Sequence, residues 1–337
     1  MIKRLSACFL AAVALTMSAF GEETVPRDTS FTTWSTYLKV RKKHPEVRLA
    51  APQLPQGVKA MENVVYQHFD STAFGPRDLH VDIYRPDNDE ILPAMIMIHG
   101  GGWNSGDKTL QRPMAMQIAK AGYVTVPVEY RLIPEALYPA GLHDIKAVVR
   151  WLRANASLYG VDPDKIAVSG CSAGAQLATL VGVTNGLASH EGSEGDYTSV
   201  SSDVQAVVNM DGIATFVSEE NIADARHRLE TKGQMPVNAL WLGGLYEDAT
   251  DNWNHASALN WISKSSAPVC FISSGLPRYS DGREKLCEAY TALGITTQRN
   301  SIPVDVHPFW FFHPWFESVV DYAVTFLDRQ FKTASVN

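Results

Sequence analysis

The chain has 337 residues, 45% of them hydrophobic and 19% charged, with a formal net charge of -7. That length is enough to bury a sizeable core, and the mild acidity argues against nucleic acid or an anionic membrane surface as the main partner. Four cysteines are far too few for a disulfide scaffold, and no Cys/His cluster has the spacing of a structural zinc site.

The first residues read as a targeting segment. "MIKR" is a short basic stretch, "LSACFLAAVALTM" is apolar, and Ala19 and Gly21 supply small residues before a cut. The expectation is a secretory signal peptide over residues 1–21, too short for a transmembrane span. Removing it takes away Lys3 and Arg4 and moves the formal charge from -7 to -9. The protein is expected to be exported, periplasmic or secreted, without membrane insertion. Residues 22–60 show no sustained period and are read as an N-terminal extension, with "LKVRKKHPEVR" a solvated basic face and "APQLPQG" a linker into a domain over 61–337.

From residue 61 strand-like and helix-like pieces alternate. "ENVVYQHF" and "LHVDIYRP" predict two early strands around the turn-rich "GPRD". "AMIMIHGG" is a continuous apolar run, as in a strand buried on both faces. A helix is expected over 112–121, then a strand in "YVTVPVEYRL". In "LHDIKAVVRWLRANASLYG", Ile145, Val148, Val149 and Leu152 share one helical face and Gly160 ends the pattern. "DPDKIAVSG" predicts a turn and strand, "AGAQLATLVGV" a helix of small residues, and "VQAVVNMDG" another buried strand. Residues 214–262 are less regular and Trp-rich, and read as a small cap or insertion. "APVCFISSG", a helix over 283–293, "ITTQRNSIP" and a helix over 315–331 complete the series. The alternation predicts one α/β domain with a mostly parallel sheet. Past the signal peptide, Cys171, Cys270 and Cys287 remain; buried free thiols and a Cys270–Cys287 bridge both stay open.

Gly170-Cys171-Ser172-Ala173-Gly174 is a G-x-S-x-G pentapeptide with a buried strand before it and a helix after it, the frame of a nucleophile elbow. The serine needs a strained turn to aim its oxygen away from the sheet, and a Cβ at either flanking position would collide with backbone. The helix N-terminus behind it favours developing negative charge. "HGGGW", residues 99–103, follows the central strand and offers three successive glycines whose N–H groups a substrate can approach. A phosphate-binding loop would need a following Lys-Ser/Thr, which is absent.

With these two motifs the sequence resembles the α/β-hydrolase superfamily, specifically its HGGG-type esterases, over about residues 61–331. The resemblance implies oxyanion-hole donors at the N–H groups of Gly101, Gly102 and Ala173, with His99 a structural hydrogen-bonder. It also implies the chain order serine, acid, histidine. His307, just after "NSIPVDV" where the last strand should end, is the expected base, with His313 the rival. The acid departs from the pattern. Where typical members carry aspartate after the penultimate strand, this chain has Pro277 or Arg278, with Asp281 and Glu284 a few residues late. Some hydrolases of this fold take the acid from the end of the preceding strand, where Asp211 lies. Asp211 is preferred, with Glu284 the alternative.

"HPFWFFHPWFE" surrounds the expected base with aromatic rings. Most are expected to be core, while Trp310, and Trp103 beside the glycines, are candidates to line a sugar subsite. Arg278, on the loop expected at the mouth, is a candidate partner for a carboxylate. "HPFWFFHPWFE" and "SSGLPRYSDGRE" together look like the bacterial exported carbohydrate esterases that act on plant-wall polysaccharides, pectin methylesterase-like and acetyl- or feruloyl-esterase-like. The resemblance implies a carbohydrate ester substrate and two-step acyl transfer on Ser172, which requires no metal or organic cofactor. A serine peptidase of the same fold would normally carry a large extra domain, for which the residues before 61 are too few. A catalytically inactive binding module of this fold is the remaining alternative.

Overall fold

The computed structural model describes residues 25–332 except Arg27 and Glu194; the expected signal peptide lies outside them. In chain order the elements are α1 (Thr33–Val40), β1 (Arg48–Leu49), β2 (Val58–Thr72), β3 (Gly75–Pro86), β4 (Leu92–Ile98), α2 (Arg112–Lys120), β5 (Val124–Val128), α3 (Ala140–Ala154), α4 (Ala156–Tyr159), β6 (Val161–Cys171) and α5 (Ala173–Val183). They continue with β7 (Ala206–Met210), α6 (Glu219–Lys232), α7 (Val237–Leu242), α8 (Thr250–His255), β8 (Val269–Ser273), α9 (Arg283–Leu293), β9 (Thr297–Ser301), β10 (Phe312–His313) and α10 (Trp315–Phe331).

Eight strands form one sheet in the order β2-β3-β5-β4-β6-β7-β8-β9. The first three pair antiparallel, and every pairing from β5 to β9 is parallel. This is the α/β-hydrolase fold. The parallel strands are buried on both faces, which explains their near-continuous apolar runs. Along β4, Ala94, Ile96 and Ile98 join the core under α3 and α5, while Met95 and Met97 point to the core under α2 and α10. The same alternation runs through β8, with Val269 and Phe271 on one side and Cys270 and Ile272 on the other.

Several elements differ from their expected bounds. The early hairpin turns at residues 73–74 rather than over "GPRD". There Thr72 Oγ1 donates to Gly75 O (2.7 Å) and accepts from Phe74 N (3.1 Å), while Gly75 takes a φ of +93°. Strand β5 stops at Val128 because the chain then turns away, with Arg131 held by Asp144 at 2.7 Å. The helix expected over 142–160 breaks at Asn155, and Gly160 ends it at φ +63°. Residues 214–262 hold three helices rather than irregular chain: Ser218 caps α6 and Gly233 closes it. Cys171, Cys270 and Cys287 are all free and buried.

The N-terminal extension packs against the domain. Its β1 pairs antiparallel with β10, Val47 is buried, and Lys43 and His44 both bind Asp305 (3.1 and 2.8 Å). Part of the basic run is thus spent on gripping the loop after β9. Strand β2 begins at Val58, three residues inside the expected boundary.

Candidate active site

Three loops meet at the C-terminal edge of neighbouring parallel strands, the usual position of sites in open α/β sheets. Ser172 follows β6, Asp211 follows β7, and His307 lies on the loop after β9. Ser172 has φ 55° and ψ -119°, and Asp211 has φ 53°. Strained non-glycine backbone of this kind persists only where its surroundings hold it. Here Ser172 N donates to Met210 O (2.9 Å) and Asp211 N to Ile272 O (3.2 Å), tying both turns to the next strand. The glycines around Ser172 are required by close approach. A Cβ on Gly170 would lie 2.1 Å from Gly174 O, and one on Gly174 would lie 2.3 Å from Ile98 O.

The side chains form a continuous hydrogen-bonded line. Ser172 Oγ is 2.8 Å from His307 Nε2, and His307 Nδ1 is 3.0 Å from Asp211 Oδ2. The other carboxylate oxygen accepts from Ser274 N at 2.7 Å, so Asp211, only 2% exposed, has both oxygens satisfied. With Nδ1–H donating to the carboxylate, Nε2 is left to accept the serine proton. Burial lowers the His307 pKa below the ordinary imidazole range; Asp211 pulls the other way, and the positive charge of Arg278 adds to the lowering. A neutral imidazole beside the hydroxyl is what a general base needs.

Gly101, Gly102 and Ala173 border the same cavity of about 490 Å³. Gly101 has φ +126°, and a Cβ there would lie 2.1 Å from Ser105 O. Ala173 is the first residue of α5, so its N–H has no acceptor within the helix. His99 is fully buried, its Nδ1 against Gly100 O (2.8 Å) and its ring tilted on Tyr130. It shapes the glycine turn and does not reach Ser172.

The other sequence candidates fall as follows. Glu284 binds Arg283 (3.0 Å) and Arg299 (2.6 Å) at the start of α9 and does not join His307. His313 pairs with Glu317 at 2.6 Å. Trp103 borders the cavity. It is 7% exposed at φ 60°, stacked on Trp241 at 4.8 Å, with Nε1 donating to Gln176 Oε1 (3.3 Å); it anchors the cap to the glycine loop. Trp310 borders the cavity but is only 3% exposed, edge-on to the His307 ring at 5.1 Å. So little exposure leaves no ring face free for a sugar. Arg278 is exposed on the cavity edge, with Nη2 donating to the Tyr279 hydroxyl and no carboxylate partner among the described residues.

Two contributors are missing from the sequence reading. Tyr279, in the turn after β8, lies flat on His307, with ring centroids 3.4 Å apart and planes at 8°. The N-terminal segment supplies Asp28, Ser30 and Phe31 to the cavity wall. Asp28 bridges to Ser105 and accepts from Asn104 Nδ2 (3.2 Å), and Phe31 packs on Phe311 at 6.2 Å. Hydrogen bonds from Ser30, then from Asn104, hold the Asp28 carboxyl below its usual range, so it faces the cavity as an anion. Because Phe31 closes one side, Phe31→Ala is expected to raise KM for a bulky ester roughly three- to tenfold. Turnover of a small acetate ester should stay nearly constant. Equal KM changes for both substrates would show that Phe31 is no part of the wall.

The sequence model of the BD-FAE family matches residues 81–276. A carboxylesterase of Mycobacterium tuberculosis, NlhH, is 41% identical over 112 residues, which are 32% of this chain and 34% of that protein. The chain spans about a third of the length of the curated relatives it matches. Among solved structures, a bifunctional GH43-CE protein of Bacteroides eggerthii is similar with TM-score 0.66 and 26% identity, over 80% of this chain and 35% of that one. Esterase 2 of Thermogutta terrifontis is similar in fold, with TM-score 0.64 and 24% identity over 84% of this chain and 98% of that one.

Proposed function

The chain belongs to the BD-FAE family, and on that premise we propose that it is a serine carboxylic-ester hydrolase that removes ester substituents from carbohydrate. The observation that carries this reading is the serine–imidazole–carboxylate line, 2.8 and 3.0 Å between partners, opening on a cavity bordered by the glycine loop. His307 Nε2 takes the Ser172 proton as Oγ attacks the ester carbonyl. The carbonyl oxygen becomes an oxyanion facing the N–H groups of Gly101, Gly102 and Ala173. Each such donor contributes about 3–4 kcal/mol to the transition state. His307 then gives the proton to the leaving alcohol oxygen, and the acyl group remains on Ser172. Water attacks that ester with its proton passing to His307, and the freed acid leaves as the proton returns to Oγ.

Support for a carbohydrate substrate comes from a truncated carbohydrate esterase from gut microbiota, similar in fold with TM-score 0.62, and from the resemblance of "HPFWFFHPWFE" and "SSGLPRYSDGRE" to exported wall-acting esterases. Export through residues 1–21 belongs to the same proposal. A panel of p-nitrophenyl acetate, acetylated xylan, methyl-esterified pectin and methyl ferulate tests it, with a fluorophosphonate probe as a second readout. Labelling confined to Ser172 together with release of acid from at least one polysaccharide ester is the expected result. A folded protein that neither reacts with the probe nor hydrolyses any of the four would end the proposal.

A further inference from the structure

The base has a neighbour that the hydrolytic line does not require. Tyr279 covers a face of the His307 imidazole in near-parallel contact, 3.4 Å between centroids. The Arg278 guanidinium carbon lies 4.5 Å from the centroid of the same phenol ring, and Arg278 Nη2 donates to its hydroxyl. Trp310 meets the imidazole edge-on at 5.1 Å. We propose that Tyr279 is a positioning residue that holds the imidazole plane on the Ser172–Asp211 line, and that Arg278, fastened to Tyr279, holds the phenol ring in that stack.

The geometry argues for both parts. Two hydrogen bonds, one at each ring nitrogen, still allow an imidazole to rock about the line joining its partners. Contact over its face removes that freedom, and misplacement by a fraction of an ångström is costly to proton transfer. A phenol ring is well suited to this, being planar and stiff, with two side-chain torsions to lose. The groups facing the imidazole are Asp211 at Nδ1, Ser172 at Nε2, Tyr279 on the ring face and Trp310 at the edge. Burial is the largest influence lowering the His307 pKa; Asp211 opposes it, and the charge of Arg278 adds a smaller lowering. Asp28, Asp224 and Arg228 stand further round the cavity, the last two paired with each other at 2.7 Å. The Tyr279 hydroxyl is itself no rival base, because burial, ahead of all other influences, raises its pKa above the ordinary phenol value.

The inference rests on the proposed function for its kinetic arm only. In the full chain, Tyr279→Ala is expected to lower kcat roughly tenfold with KM much less affected, and Tyr279→Phe, which keeps the stacked ring, to recover most of that loss. Arg278→Gln, which removes the guanidinium over the phenol ring, is expected to lower kcat by about two- to threefold, again with KM much less affected. The second arm needs no turnover: the His307 Cε1 proton is followed by NMR against pH. It is expected at an upfield, ring-shielded position that Tyr279→Ala abolishes and Arg278→Gln partly relaxes. If no ester is hydrolysed but the NMR shifts appear, the hydrolase reading falls and this one stands. Unshifted resonances in both variants overturn it, as does a Tyr279→Phe variant as slow as Tyr279→Ala.

Discussion

Ser172→Ala is expected to lower kcat by about 10⁵- to 10⁶-fold, and His307→Ala by a similar factor, with the double variant hardly worse than either. Non-additivity follows from the geometry. The 2.8 Å hydrogen bond between Oγ and Nε2 makes the pair one nucleophile, so removing either half removes all of it. What remains is positioning by the glycine loop, which is still worth a residual rate above that of water. Stability provides the control. Alanine at position 172 inherits the same φ of 55°, so it carries the strain without the chemistry, and its melting temperature should stay close to wild type. Ser172→Gly relieves that strain, about 1–2 kcal/mol. It gives back part of that through the freer unfolded chain, and is expected to melt no lower than wild type while equally inactive. The measurements are kcat on p-nitrophenyl acetate and thermal unfolding of the same samples. A Ser172→Ala protein retaining more than a hundredth of wild-type turnover would show that another group is the nucleophile.

The parts of this molecule that could be read from the sequence are those whose physics is local. A buried strand, a glycine-flanked serine and a helix of small residues lie within one run of "IAVSGCSAGAQLATL", because the elbow is built by consecutive residues. The parallel sheet was legible for the same reason: each strand buried on both faces is a continuous apolar run. The acid was harder, because its position depends on strand order. Asp211 faces His307 since β7 lies between β6 and β8, a neighbour relation that no spacing records. Tyr279 was invisible because its stack spans two loops 28 residues apart in the chain. The wall built by Asp28 and Phe31 reaches partners at Ser105 and Phe311, and an extended segment that pairs so remotely carries no period of its own. One omission had a usable signal. Helix α6 is capped by Ser218, carries Glu219 and Glu220 in its first turn and is closed by Gly233, an N-cap, dipole and C-cap pattern that identifies a helix even where the apolar stripe is weak.

The two candidate carboxylates separate most cleanly under amide substitution. Asp211→Asn is expected to reduce kcat by about 10³- to 10⁴-fold, while Glu284→Gln should stay within about twofold of wild type. The reasoning starts at Ser274, whose backbone N–H donates to Asp211 Oδ1 at 2.7 Å and can only donate. An asparagine must turn its carbonyl oxygen to that N–H, which leaves its NH₂ facing His307 Nδ1. Nδ1 then becomes an acceptor, the ring proton moves to Nε2, and the imidazole presents a donor to Ser172 instead of a lone pair. The base is in place with the wrong tautomer, so turnover falls although nothing has moved. The backbone tolerates the change, since asparagine adopts a positive φ at least as readily as the aspartate that now holds 53°. A near-wild-type melting temperature should therefore accompany the lost activity, excluding unfolding as its cause. Glu284 serves as the internal contrast. Its exposed contacts with Arg283 and Arg299 are surface ion pairs of about 0–1 kcal/mol, and their loss reaches neither the imidazole nor the serine. Comparable losses of kcat in both variants, or a loss confined to Glu284→Gln, would remove Asp211 from the proton-handling line.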